Sequence, residues 1–332
     1  MTTANFATAD DLLDAWRDDV LSGTPPILFP VGAGELARIE IGPGLVTLLG
    51  GAPGAGKTAF VMQCVVDALR LTTSLRVLAC NVEMPPGVLL DRQLARLSGI
   101  DLDTIRHRRF DGSHADRLDQ ASNTLAALGE RLAFVRPPYN LDNVAAAADA
   151  HNAGLIVLDY IQRIRPPGEH GDKRGSVNAT MDYLRQFADA GVAVVVLSAV
   201  GRSKDDHGRS SYAGSGMNLA SFRESSELEF GADDAFILHP DGDNADGNTM
   251  RLRHLKSRHG EARDMLLTFD RPRMQFTSLP SAEAVEHYSK PNKRGTRKAD
   301  SAKAGKIQSA LATLWSQTPV ADDDLDTEGA DT

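Results

Sequence analysis

One stretch, LLGGAPGAGKTAF at residues 48–60, restricts the possible folds more than any other feature of the chain. It reads as an apolar strand, a glycine-rich turn and an apolar helix, with G-x-x-x-x-G-K-T running from Gly51 to Thr58. Glycines let the backbone curl so that its N–H groups converge on phosphate oxygens. The helix that follows adds its positive N-terminal end. Lys57 is placed to reach the outer phosphates of a nucleoside triphosphate, and Thr58 to offer a hydroxyl to Mg²⁺. The expected nucleotide-binding segment is therefore Gly51, Ala52, Pro53, Gly54, Ala55, Gly56, Lys57, Thr58 and Ala59, with ATP and Mg²⁺ as its ligands.

Two carboxylates complete the expected site. Asp159 closes the apolar run GLIVLDYIQ at 154–162. A carboxylate at the C-terminal end of a strand near such a loop can hold the metal's coordination shell, often through water. Glu83, in VLACNVEM at 77–84, lies just past another apolar strand. In a parallel sheet that end faces the ligand crevice, where a general base would act on water.

Around these points the chain alternates. Short runs rich in Val, Ile and Leu at 45–49, 76–80, 132–135, 155–158 and 193–197 read as strands buried on both faces. Helices are expected at 57–70, 86–98, 114–128, 141–152 and 176–189. The alternation predicts an α/β fold, a mainly parallel sheet covered by helices. Residues 236–238, 250–254, 265–269 and 274–276 read as an antiparallel extension of that sheet. Leu12, Leu13, Trp16, Val20 and Leu21 fall near one face of a helix at 9–21, capped by Asp10 or Asp11. The expected organisation is an N-terminal linker helix at 1–30, a nucleotide-binding domain at 31–279, and a largely disordered charged tail at 280–332 with one short helix near 302–315. The polar, glycine-rich stretch at 203–219 is long for a loop inside a compact domain, which marks it as functional or disordered.

The net charge of −9 argues against nucleic acid as a partner only until its distribution is read. Asp322, Asp323, Asp324, Asp326, Glu328 and Asp331 crowd the C-terminus, while Lys290, Lys293, Arg294, Arg297, Lys298, Lys303 and Lys306 precede them. Cys64 and Cys80 lie in apolar surroundings and read as reduced core thiols. No C-x-x-C or H-x-x-x-H spacing points to zinc, and His254 and His259 read as surface histidines. No apolar run approaches the ~20 residues that cross a membrane, and the acidic N-terminus lacks a signal pattern, so a cytoplasmic location is expected.

Six ordered blocks carry a resemblance. They are the glycine-rich loop; VEM at 82–84 with Leu90, Arg92 and Leu94; LDYIQ at 158–162; VVVLSAVGR at 194–202; FRESSELEFGADDAFIL at 222–238; and HLKSRHG at 254–260. Together they resemble the C-terminal ATPase domain of DnaB-type replicative helicases, a RecA-like fold, over roughly residues 30–279. The resemblance implies that Glu83 is the catalytic glutamate and Asp159 the metal-side aspartate. It also implies that Lys256 and Arg258 reach into a neighbouring subunit's nucleotide, where arginine's planar donors suit a γ-phosphate. A finger supplied by a neighbour implies a homo-oligomeric ring, expected to be a hexamer, with the Trp16 helix packing on an adjacent protomer. Residues 203–219 stand where the family places a single-stranded DNA loop, so Arg202, Lys204, Arg209 and Tyr212 are the candidate DNA contacts.

Two departures from the family pattern stand out. The family's strand before that loop ends Ser-Gln, whereas this one ends Ser198-Ala199, and alanine has no side-chain hydrogen bond to link γ-phosphate with DNA. Residues 1–30 also contain no helical domain of the primase-recruiting kind, which suggests a phage, plasmid or accessory relative. The expected function is an ATP-dependent DNA helicase or translocase in replication. The alternatives are a KaiC-like or recombinase-mediator-like regulatory ATPase without unwinding, and a nucleotide-gated assembly factor with little turnover.

Overall fold

The computed structural model describes residues 6–168, 172–201, 203–204, 210–211, 218–222, 227–241 and 247–279. The chain divides into two units, Ile27–His287 and Met1–Pro26 with Tyr288–Thr332. The expected tail helix lies outside the described residues. In the smaller unit helix α1 (Ala9–Ser22) is described, and its Leu12, Leu13 and Trp16 are exposed. The expected cap is corrected. Thr8, not Asp10 or Asp11, caps α1, because its hydroxyl accepts the Asp11 N–H at 3.2 Å while the Asp11 carboxylate accepts the Thr8 N–H at 2.8 Å. Asp11 is the third helical residue, and the pair closes a reciprocal capping box.

After a 3-10 helix at Gly34–Arg38, the larger unit continues with β1 (Val46–Gly51), α2 (Lys57–Leu71), β2 (Val77–Asn81) and α3 (Pro86–Ser98). Helices α4 (Leu102–Arg106) and α5 (Ala115–Ala126) lead to β3 (Leu132–Phe134), α6 (Leu141–His151) and β4 (Leu155–Asp159). Then come α7 (Lys173–Asp189) and β5 (Ala193–Ala199), the two-residue strands β6 (Ser203–Lys204) and β7 (Ser210–Ser211), and α8 (Glu227–Gly231). The C-terminal part holds β8 (Asp234–Pro240), β9 (Thr249–Ser257), β10 (Met265–Asp270) and β11 (Gln275–Ser278).

Nine of these strands form one sheet in the order β11-β10-β9-β8-β1-β5-β4-β2-β3. All pairs from β8 to β3 are parallel, and β8–β9, β9–β10 and β10–β11 are antiparallel. The segment at 236–238 was expected in the antiparallel extension. It belongs instead to β8, which runs parallel to β1, so the extension begins at β9. Helix α4 was not expected, since five residues are too few to show a helical period. The stretch at 203–219, expected as a loop, contains β6 paired antiparallel with β7.

The apolar runs of β4 and β5, and that of β1 apart from Thr47, are explained by burial on both faces. Val46 and Leu48 of β1, Ile156 and Leu158 of β4, and Val194 and Val196 of β5 join the core under α6 and α7. Their alternate neighbours Leu49, Val157 and Val195 join the core under α2. Successive strand side chains point to opposite faces, so each sheet face gets its own apolar layer. Each fully buried Val, Leu or Ile contributes about 1.5–3 kcal/mol. By contrast, β10 alternates buried and half-buried positions, as an antiparallel strand with one wet face does. A buried polar contact ties this extension to α2: the Gln63 amide donates to the Phe276 carbonyl and accepts the Phe276 N–H, both at 2.8 Å. That contact fixes β11 beside the first turns of the helix that follows the glycine-rich loop. Among the described residues no helix is long and apolar enough to cross a membrane.

Candidate functional site

The parallel strands end together, and their C-terminal ends carry Gly51, Asn81, Asp159 and Ala199. Residues 51–59 turn out of β1 into α2, with Gly54 at φ +77° and Gly56 at φ +91°. The Gly56 backbone leaves no room as well as demanding that conformation. A Cβ there would stand 2.9 Å from the rings of both Phe269 and Phe276. Gly56 is also the cap of α2 and offers no side chain to the helix's first N–H groups. Those donors point outward, toward whatever the loop encloses. Lys57 Nζ donates to the carbonyls of Gly51 at 2.7 Å and Ala52 at 3.0 Å. Burial pulls its pKa down, against the attraction of Asp159 and Glu83.

Asp159 is buried, and burial pushes its carboxyl pKa up against the Thr58 hydrogen bond. Its Oδ2 accepts the Thr58 hydroxyl at 2.6 Å and the Asn81 amide at 2.6 Å. Asn81 Oδ1 in turn accepts the N–H groups of Glu83 at 3.0 Å and Met84 at 2.7 Å. Glu83 is exposed at the mouth of the same cleft. Arg92 enters from α3, half-buried. Its Nε is buried without a hydrogen-bond partner, and burial lowers its pKa against the pull of Asp159.

These groups surround one open cleft of about 570 Å³. Its opposite wall is Phe269, Arg271 and Met274 from the β10–β11 hairpin, with the Arg271 guanidinium 4.9 Å from the Phe269 ring centre. The residues fit a magnesium-bound nucleoside triphosphate. The glycines leave a cradle that a Cβ would fill, Thr58 and Asp159 supply hard oxygen donors side by side, and Arg92 Nε is a buried cationic donor that lacks an acceptor.

Lys256 and Arg258 lie elsewhere. Ser257 of β9 faces Asp234 of β8, which faces Thr47 near the start of β1, so this pair sits at the opposite end of the sheet from Gly51. Arg258 is held by the Asp233 carboxylate at 2.8 Å and the Phe230 carbonyl at 3.1 Å, and Lys256 Nζ by the Ala232 carbonyl at 2.7 Å. The Asp233 carboxylate also takes Arg185 at 2.7 Å and the Val46 N–H at 2.8 Å. The reading of His254 as a surface residue is corrected: its side chain is buried, stacked on Phe236 and bonded to Asp234 at 2.8 Å. An antiparallel strand that packs one face inward buries such a position. His259 is half exposed, as expected of a surface residue. Of the candidate DNA contacts, Arg202, Arg209 and Tyr212 lie outside the described residues, and Lys204 falls on β6.

Sequence reasoning gave no role to Asn81, Arg92, Gln162 or Arg271. Arg92 sits in one of the quoted blocks, and Asn81 stands two residues before Glu83, but only folding brings them to Asp159. Gln162 donates to the Ser198 hydroxyl at 2.8 Å and accepts the Ala199 N–H at 3.3 Å, so an amide from the neighbouring strand end meets the position where alanine departs from the family pattern.

A glycine cradle between a central parallel strand and its helix, with an aspartate at a nearby strand tip, defines a P-loop nucleotide-binding domain of the α/β class. The model of the DnaB-like helicase C terminal domain family matches residues 40–278, and the chain belongs to that family. It is 24% identical over 275 residues to the replicative DNA helicase DnaB of Geobacillus stearothermophilus, covering 79% of this chain and 58% of that protein. A probable plasmid replicative DNA helicase of Chlamydia trachomatis is 24% identical over 259 residues, covering 76% and 55%. This chain thus spans a little over half the length of these curated relatives. Among solved structures, one isolated ATPase domain superposes with a TM-score of 0.70 at 20% identity, covering 83% of this chain and all of that one. A DnaB-like replicative helicase studied with primase gives 0.70 at 20% identity, covering 84% and 68%. These likenesses match the mainly parallel sheet with its antiparallel C-terminal strands.

Proposed function

We propose that this chain is an ATP-hydrolysing motor of the DnaB-like helicase type, which binds MgATP between copies of itself and moves on single-stranded DNA in replication. The observation that carries the reading is the single cleft that Lys57, Thr58, Asp159, Glu83 and Arg92 line together with the glycine cradle. Residues 1–30 then serve as a linker helix, 31–279 as the motor, and 280–332 as a charged tail.

The chain's own groups divide the work. Backbone N–H groups of the glycine-rich loop and the start of α2 bind the phosphates. Lys57 exchanges its two loop carbonyls for phosphate oxygens, and Arg92 gains the acceptor that it lacks within the protein. Mg²⁺, held by Thr58 and Asp159, would neutralise charge on the outer phosphates. Glu83 at the mouth of the cleft orients water and takes its proton. Lys256 and Arg258 cannot serve their own cleft from the far end of the sheet, so they serve a neighbour's, which requires head-to-tail copies that close as a ring. Residues 203–219, with Arg202, Lys204, Arg209 and Tyr212, carry the DNA contacts.

Steady-state phosphate release, measured with and without single-stranded DNA, tests the reading, and strand displacement on a forked substrate tests unwinding. DNA-stimulated release is expected; no release under either condition would remove the motor. One observation favours a second reading. Ala199 lines the cleft without a side-chain hydrogen bond, which suits a KaiC-like or recombinase-mediator-like ATPase that turns over but does not unwind. Phosphate release with no strand displacement would select it.

A further inference from the structure

Asn81 belongs to neither the glycine-rich loop nor the carboxylate pair, yet it touches the residues on both sides of the expected reaction. It is the last residue of β2 and lies in register with Asp159 across the parallel pair β2–β4. Its side chain is buried and all its hydrogen bonds go to the site. Nδ2 donates to Asp159 Oδ2, the same oxygen that accepts the Thr58 hydroxyl. Oδ1 accepts two consecutive backbone N–H groups, those of Glu83 and Met84. The Val82 N–H adds a second tie to Asp159, donating to its carbonyl at 2.9 Å. The turn that presents Glu83 is therefore fastened to the tip of β4 by two hydrogen bonds, and the Asn81 amide that makes one of them also holds the Glu83 and Met84 backbone through two more.

The geometry assigns Asn81 as the positioning residue that sets Glu83 relative to the Thr58–Asp159 pair. This inference rests on the reading of Glu83 as the base. A carboxamide is rigid and has a donor end and an acceptor end. If the Asp159 carboxylate or the Thr58 hydroxyl shifts, the donor end must follow, and the acceptor end carries the Glu83 backbone with it. An exposed carboxylate on an otherwise free turn would wander by more than an ångström, and misplacement of that size costs on the order of 100-fold in rate. The alternative role for Asn81, simple satisfaction of buried groups, would predict a loss of stability with no selective effect on turnover.

The test uses the full chain with Asn81→Ala, Asn81→Ser and Glu83→Gln. Asn81→Ala removes both ends of the link and leaves the glycine-rich loop, Lys57 and Arg92 untouched. Its kcat for ATP is expected to fall about 10- to 100-fold. Its KM, and its Kd for a fluorescent ATP analogue, should stay within about twofold, because ground-state binding is unaltered. Asn81→Ser keeps a short acceptor for the turn but does not reach Asp159, so its kcat should fall between those of the wild type and Asn81→Ala. It also serves as the readable variant if Asn81→Ala fails to fold. Wild-type kcat in the alanine variant would overturn the inference, as would a fall in kcat matched by an equal loss of nucleotide affinity. Glu83→Gln separates the two layers: wild-type turnover there removes Glu83 as base, whereas an inactive Glu83→Gln beside a fully active Asn81→Ala removes only the role of Asn81.

Discussion

Mixing two inactive variants tests whether one copy completes another's site. In the β1–β8 pairing Thr47 faces Asp234 and Gly51 faces Leu238, and in the β8–β9 pairing Asp234 faces Ser257. Arg258 follows Ser257 and so lies beyond the N-terminal end of β1, while the glycine-rich loop leaves its C-terminal end. The strand between those register points is about 13 Å long at ~3.3 Å per residue, and the phosphate cradle lies farther on. An arginine side chain does not cover that distance, and the Arg258 guanidinium is already held by Asp233 and Phe230. Arg258→Ala should therefore lose about 10³- to 10⁵-fold in kcat while it still binds nucleotide. Lys57→Ala should be inactive because its own cradle is damaged. In a ring assembled from equal amounts of the two proteins, about a quarter of interfaces combine an intact Lys57 with a neighbour's intact Arg258. Phosphate release should recover to about a quarter of the wild-type rate. A mixture that stays as inactive as its parents, with subunit exchange shown by fluorescence transfer between labelled copies, would refute the argument, as would normal turnover by Arg258→Ala alone.

Other outcomes follow from the same geometry. Arg92→Ala should weaken ATP binding by about 10- to 150-fold, the range for one lost charge-assisted hydrogen bond, while leaving Tm unchanged or raised, because the buried Nε has no protein partner to lose; calorimetric titration and a thermal scan check both halves. Gly56→Ala should cost about 2–4 kcal/mol of stability, from its positive φ and from a Cβ 2.9 Å from two stacked rings, whereas Gly54→Ala, also at positive φ but with nothing within 4 Å, should cost about 1 kcal/mol. Equal losses for the two in urea denaturation would remove the steric part of that account. Burial pushes the thiols of Cys64 and Cys80 up to about 12, so at pH 8 about one in ten thousand is thiolate in the folded chain. Both should resist iodoacetamide until the protein unfolds. Since the folded pKa is raised, the stability that these thiols contribute is present below the unfolded value near 9 and is lost as pH rises toward 12.

The strand–loop–helix at residues 46–71 and the sheet's two-sided burial can be read directly from the residues. Both are local: a glycine pattern dictates the backbone it permits, and unbroken Val, Ile and Leu runs suit only strands covered on both faces. Asp159 and Glu83 were legible for the same reason, since each follows an apolar strand and such strand ends meet at one edge. How those ends connect depends on contacts between elements far apart in the chain. Asn81 bonds Asp159 across 78 positions of chain, Arg92 reaches the cleft from a different helix, and β8 joins β1 in parallel rather than opening the antiparallel extension. The buried pairing of His254 with Asp234 was equally out of reach of the sequence, because a histidine on a polar, alternating strand carries no mark of which face will be covered. Local pattern encodes the period of an element. It does not encode which other element's polar atoms will arrive within 3 Å, and that proximity sets hydrogen bonds, burial and pKa.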